Sequence, residues 1–98
     1  MNLIKTRNGS ELTIALDGRL DTTTAPELDQ VLNESLGEIT SLVFDLEKLV
    51  YISSAGLRSL LVSQKVMNKK GSMKIRNANP SVMEVFTVTG FSDILTFE

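Results

Sequence analysis

The 98-residue chain contains no cysteine and no histidine. Without cysteine there are no disulfides, no thiol nucleophile and no thiolate metal ligand. Without histidine the commonest general base, the usual serine triad and the commonest metal ligand are missing as well. No metal or cofactor is therefore expected. Long apolar runs are also absent, since none approaches the ~18–20 residues that a bilayer-spanning helix requires. The opening MNLIKTRNG lacks the basic-then-apolar pattern of a secretory leader. A cytoplasmic location with no membrane partner is the expectation. Basic residues are scattered and the formal net charge is −2. That offers no stripe for a phosphate backbone, so nucleic acid is not an expected partner. Lys65, Lys69 and Lys70 close a predicted helix, where cations suit the dipole. No repeat, low-complexity tract or linker interrupts the sequence. Its length suits one domain, residues 1–98, with a single modest core.

What is present alternates between strand and helix patterns. NLIKTRN (2–8) reads as a short strand, and Asn8-Gly9 turns it into ELTIALDG (11–18), where Leu12, Ile14 and Leu16 alternate with less apolar residues. In DTTTAPELDQVLNESLG, Thr24 and Glu27 have capping-box spacing and Pro26 falls in the first helical turn. Leu28, Val31, Leu32, Ser35 and Leu36 then share a helical face, and Gly37 is placed to stop the helix. SLVFDLEKL (41–49) lacks clean alternation and reads as a central strand covered on both faces. GLRSLLVSQKVMNKKG (56–71) returns to helical spacing, and SMKIRNA (72–78) is another strand. Asn79 and Pro80 open a third helix with Val82, Val85 and Phe86 inward, ended by Gly90. DILTF (93–97) is expected to add a last strand. The pattern is that of an α/β domain, a mixed sheet of four to five strands with three or more helices packed on it.

Two features stand out. In YISSAGLRSLL (51–61) two hydroxyls and almost no side-chain bulk sit between apolar runs. Ser53 or Ser54 can act simply as the cap of the following helix, and Gly56 can serve close packing alone. The other reading is a serine displayed for modification. SSAG is too short to be a phosphate-binding P-loop. At ~100° per residue, Leu57, Leu60, Leu61, Gln64 and Met67 of that helix point one way. Val62 and Val66 fall opposite, near Arg58, Ser59 and Ser63, on a face that either tolerates stray apolar residues or meets a protein. Asp21, ahead of the first helix, can be plain Asx-turn chemistry. Asp45 and Glu47 are the other carboxylates near plausible chemistry, and neither has an identifiable base or metal partner.

LDGRLDTTTAPEL, LVFDLEKLVYISSAGLRSLL and VFTVTGFSDIL together resemble the STAS domains, named for sulfate transporters and anti-sigma factor antagonists, across nearly the whole chain. The stand-alone bacterial members carry Asp-Ser-Ser/Thr-Gly-Leu after an apolar strand, and the first hydroxyl residue is phosphorylated. Aligned on Gly56-Leu57, Ser54 takes the phosphoacceptor place, Ser53 replaces the aspartate and Ala55 replaces the second hydroxyl residue. Asp21 matches an aspartate in the family's first loop, which belongs to the partner-contact surface. Arg58 and Val62 stand where glycines are frequent.

The resemblance implies an anti-sigma factor antagonist with no catalysis of its own. It implies two partners, an anti-sigma factor serine kinase and a serine phosphatase. The unphosphorylated protein would bind the kinase and free the sigma factor, and phosphate on Ser54 would end that binding. Asp21, Thr23, Ser53, Ser54, Gly56, Arg58 and Val62 form the expected contact surface, on a monomer. The alternative is a STAS scaffold or transporter-associated subunit in which Ser54 is never phosphorylated, a reading that the missing aspartate favours.

Overall fold

Asn8-Gly9 turns the chain where the sequence predicts it. In the computed structural model, which describes residues 1–98, β1 (Asn2–Asn8) and β2 (Glu11–Leu20) pair antiparallel with Asn8 opposite Glu11. Gly9 has φ +63°, a left-handed conformation open to a residue without Cβ. Leu12, Ile14 and Leu16 are buried and the residues between them half-buried. The alternation fixes the register, because a slip of one residue would turn the apolar set to solvent.

From there strand and helix alternate: α1 (Ala25–Ser35), β3 (Ser41–Ile52), α2 (Ser54–Asn68), β4 (Ser72–Arg76) and α3 (Pro80–Val88). The sheet order is β1-β2-β3-β4, with β3 parallel to both β2 and β4. This is the expected mixed sheet with three helices. Crossovers between parallel strands are right-handed almost without exception. Two that step the same way across a sheet deliver their helices to the same face. The core agrees: Leu28 and Leu32 of α1, Leu57, Leu60 and Met67 of α2, and Val82 and Phe86 of α3 join Ile14, Phe44 and Ile75 of the sheet in one buried cluster.

Four sequence expectations change. β3 is not covered by helices on both faces. Val43 is buried yet stands outside the core cluster, and its neighbours Thr13, Asp45 and Lys74 are half-buried or exposed on a bare face. Crossovers in one direction leave that side uncovered. DILTF is not a strand. Residues Phe91–Asp93 wind into a 3-10 turn, Leu95 is buried, and Phe97 meets Phe86 edge-on at 5.2 Å. Only Ile75 pairs with this segment, through bonds to Thr96 and Glu98. Gly37 does not stop α1 in a left-handed turn but lies within a 3-10 turn, Leu36–Glu38, that continues it. β3 also runs past Leu49 to Ile52, directly up to the paired serines.

α3 forms as expected. The Asn79 side chain accepts from the Val82 N–H at 2.9 Å and donates to the Leu49 carbonyl at 2.8 Å, so one residue caps α3 and ties it to β3. Gly90, φ +82°, ends the helix.

Candidate functional site

Parallel strands leave their following loops at one edge, the carboxyl ends, and there the turns after β2 and β3 come together. The Ser53 N–H donates to the Leu20 carbonyl at 2.9 Å, joining the Asp21 loop to the serine pair. The contact follows from the parallel register, in which Leu20 pairs with Ile52.

The first loop is organised by Asp21. Its Oδ1 accepts from the Thr23 hydroxyl at 2.7 Å, the Thr23 N–H at 2.9 Å and the Thr24 N–H at 3.3 Å. The Thr23 hydroxyl, followed by the Thr23 N–H, holds the Asp21 carboxyl below the usual aspartate range, because each bond favours the ionised form. The Asp21 carbonyl accepts from the Ala25 N–H at 2.8 Å. The predicted capping box of Thr24 and Glu27 does not form. Thr24 already has helical angles, φ −105° and ψ −22°, whereas an N-cap side chain reaches the helix from an extended backbone. Its hydroxyl turns back instead, accepting from the Asp21 N–H and donating to the Arg19 carbonyl, each at 2.9 Å.

Arg19 and Tyr51 were not singled out by sequence reasoning. They are partners across β2 and β3, and the Arg19 guanidinium lies 4.2 Å from the centre of the Tyr51 ring, a cation–π contact. Its Nε is 3.9 Å from Asp21 Oδ2. Asp21, Arg19 and Tyr51 thus form a chain along the strand ends to within two residues of Ser53. Nothing in either segment alone announces this pairing, which depends on the strand register.

The serines play different parts. Ser53 occupies the N-cap position with an extended backbone, and its carbonyl accepts from the Leu57 N–H at 3.0 Å. Its hydroxyl makes no capping bond, and Oγ is shut away from solvent without a partner. Ser54 is the first residue of α2, exposed, with its hydroxyl unbonded in the chain. It stands at the positive end of the helix, where free N–H groups gather.

Gly56, expected on the contact surface, is buried beneath it. A Cβ there would lie 2.7 Å from Leu20 Cγ and 2.8 Å from Ile52 Cγ1. The absent side chain lets the first turn of α2 sit against the ends of both strands, and that fixes where Ser54 emerges.

Further along α2, Arg58, Val62 and Val66 are exposed, as their spacing predicts. Ser59 and Ser63, expected beside them, are buried. The reason is α1, which flanks this side of α2. The Ser59 hydroxyl donates to Asp29 Oδ1 at 2.6 Å, and Ser63 bonds the Ser59 carbonyl at 2.9 Å. Between the helices runs a groove of about 500 Å³. Pro26, Asp29 and Asn33 line one side, and Arg58, Val62 and Val66 the other. Thr22 and Ala55 also line it, and they adjoin Asp21 and Ser54 in the chain. Of the expected contact residues, Arg58 and Val62 line the groove, Thr23 and Ser54 are exposed, Asp21 and Ser53 are half-buried, and Gly56 is buried.

Asp45 lies elsewhere, on the bare face of the sheet. Partial burial pushes its carboxyl up, but the Asn77 amide at 3.1 Å, the Glu47 N–H at 3.1 Å and the Arg76 guanidinium at 3.5 Å outweigh this and hold it below the usual range. Arg76 and Asn77 give it a structural setting away from the serines. No cluster of three or more acidic side chains is arranged to hold a metal ion, and no helix is long and apolar enough to cross a membrane.

Both the sequence and the fold match known proteins. The STAS domain model matches residues 2–98. BtrV of Bordetella bronchiseptica, provisionally named an anti-sigma factor antagonist, is 35% identical over 97 residues, covering 96% of this chain and 83% of BtrV. The anti-sigma-B factor antagonist of Bacillus subtilis is 26% identical over 96 residues, covering 97% of this chain and 88% of that protein. The fold matches the anti-sigma factor antagonist SpoIIAA in its unphosphorylated form with a TM-score of 0.85 at 19% identity, over 99% of this chain and 88% of that one. It also matches the phosphorylated form of Bacillus SpoIIAA with a TM-score of 0.78 at 18% identity, over 99% and 91%.

Proposed function

This chain belongs to the STAS domain family, and we propose that it is an anti-sigma factor antagonist switched by phosphorylation at Ser54. Unphosphorylated, it binds an anti-sigma factor that is also a serine kinase, and the sigma factor is released. The kinase then transfers the γ-phosphoryl group of ATP to the Ser54 hydroxyl and the complex separates. A serine phosphatase restores the binding form. The protein is a single cytoplasmic STAS domain over residues 1–98, monomeric, a substrate and binding module rather than an enzyme.

One observation carries this reading: of the two serines, only Ser54 presents a free hydroxyl to solvent, on the first turn of α2 beside the Asp21 loop. The hydroxyl of Ser53 is enclosed. A phosphate adds roughly −1.5 to −2 charges and three strong acceptors. At a helix N-terminus the dipole favours such charge by roughly 0.3–1 kcal/mol, so the domain tolerates it. Against a packed partner the same charge is desolvated or repelled, and binding is lost. The relatives' names and the SpoIIAA fold in both phosphorylation states support the assignment.

The test is to incubate the protein with the serine kinases encoded beside it and ATP, then map the phosphate by peptide mass. Label on Ser54 alone is expected. Label on Ser53 overturns the site. No label from any of them gives the protein to the scaffold reading, for which the replacement of the family's aspartate by Ser53 already speaks.

A further inference from the structure

The chain has four arginines, and three of them are engaged. Arg7 pairs with Glu38 at 3.2 Å, Arg19 with Asp21 and Tyr51, and Arg76 with Asp45. Arg58 alone makes no ion pair, hydrogen bond or aromatic contact. It is exposed and is the only cation lining the α1–α2 groove. Asp29 is the groove's only carboxylate, and it accepts the Ser59 hydroxyl rather than Arg58. A guanidinium left free at the edge of an apolar groove calls for a partner that arrives later.

Four residues before Arg58 on the same helix stands Ser54. Side chains four apart share a helical face with Cβ atoms roughly 5–6 Å apart, and an anion four residues N-terminal to a cation is the favourable order. The neutral hydroxyl offers Arg58 no charge. A phosphate on the same oxygen would offer a near-dianion with three acceptors, which the planar guanidinium fork matches with two parallel bonds.

We infer that Arg58 is the internal counter-ion for a phosphate on Ser54, a positioning residue that leaves the groove when the phosphate arrives. The inference rests on Ser54 as the modified residue and goes beyond it. Phosphorylation then acts twice on one surface. It places negative charge at the head of the groove, and it withdraws the groove's only cation from any acidic group of a docked partner. Arg19, the other nearby cation, stays with Asp21 and Tyr51.

The test needs no kinase. Phosphoserine is installed at position 54 of the full chain by genetic encoding, and the phosphate is titrated by phosphorus NMR in the parent, Arg58→Gln and Arg58→Lys at low salt. A paired guanidinium favours the dianion and lowers the second ionisation. The parent is expected to titrate roughly 0.3–0.7 of a pH unit below Arg58→Gln. Arg58→Lys, which keeps the charge without the fork, should fall between them. Matching melting curves of the unphosphorylated proteins confirm that each variant is folded. Superimposed titrations of the parent and Arg58→Gln overturn the pairing. Failure of every kinase to label Ser54 defeats the proposed function instead, and the titration still stands by itself.

Discussion

Replacing Gly56 by alanine adds one methyl group where α2 meets the strand ends. On helix propensity alone the change should stabilise, by roughly 0.8–1 kcal/mol. Packing opposes it. The new Cβ would lie 2.7 Å from Leu20 Cγ and 2.8 Å from Ile52 Cγ1. These are branch-point and mid-chain atoms of side chains 0% and 2% exposed, so neither can swing clear. Forcing a methyl into a filled core costs about 1–3 kcal/mol, and two contacts this short belong in the upper half of that range. The balance is a loss of about 1–2 kcal/mol, which for a chain of this length lowers the melting temperature by roughly 4–16 °C. Gly37→Ala is the control: nothing lies within 4 Å of its Cβ and its φ is not positive. That change should stabilise by about 0.4–1 kcal/mol. Thermal unfolding followed by circular dichroism reads both. If Gly56→Ala melts at or above the parent, the close approach of α2 to Leu20 and Ile52 does not fix the start of the helix.

Ser54→Ala should change stability by no more than about 0.5 kcal/mol, since the exposed hydroxyl bonds to nothing, and should leave kinase binding intact by titration. Ser54→Asp should raise stability slightly, by roughly 0.3–1 kcal/mol through the dipole, while weakening the complex, so that stability and affinity move in opposite directions. Val62→Asp should melt within about 0.5 kcal/mol of the parent yet bind more weakly by about 3–5 kcal/mol if the groove is where the partner docks, whereas Leu60→Asp should unfold the domain. Asp45 has a folded pKa below its ordinary 3.8. Its contribution is therefore complete above that value and is lost as pH falls through the lower, folded one. Acid unfolding of Asp45→Asn should depend less on pH below 3.8 than that of the parent, and identical acid limbs would remove Asp45 from the account.

The hairpin, α1, α2 and α3 were legible because each is set by short-range physics: alternation in β2, helical spacing through Leu28, Val31 and Leu32 and again over 56–71, where the structure has α2 at Ser54–Asn68, and the Asn79-Pro80 start and Gly90 stop of α3. The exposure of Val62 and Val66 followed from the same spacing. Most of what escaped the sequence depends on residues far apart in it, the Asp21–Thr24 exchange being the local exception. Ser59 and Ser63 look like surface polar residues until α1 is laid beside them. Asp21 takes over the capping expected of Thr24, because the backbone at Thr24 has already entered the helical region. The Arg19–Tyr51 contact exists only in one register of two parallel strands. The bare face of the sheet follows from the direction of two successive crossovers, and no window of sequence shows direction.

Under the proposed switch, these features would make a charge on Ser54 act outward. Its helix turn has no room to retreat into the domain, because even a Cβ at Gly56 would lie 2.7 Å from Leu20 Cγ. Nor can the loop behind it shift easily: the Ser53 N–H is held by Leu20, and Asp21 is held by Thr23, Thr24 and Arg19. The enclosed Ser53 hydroxyl supplies no charge to meet a phosphate. On the inferred pairing, a phosphate on Ser54 would meet a rigid base and one free cation, Arg58. The free energy it adds is small for folding and large for any surface pressed against the head of the groove. A partner can be released while the fold stays as it was.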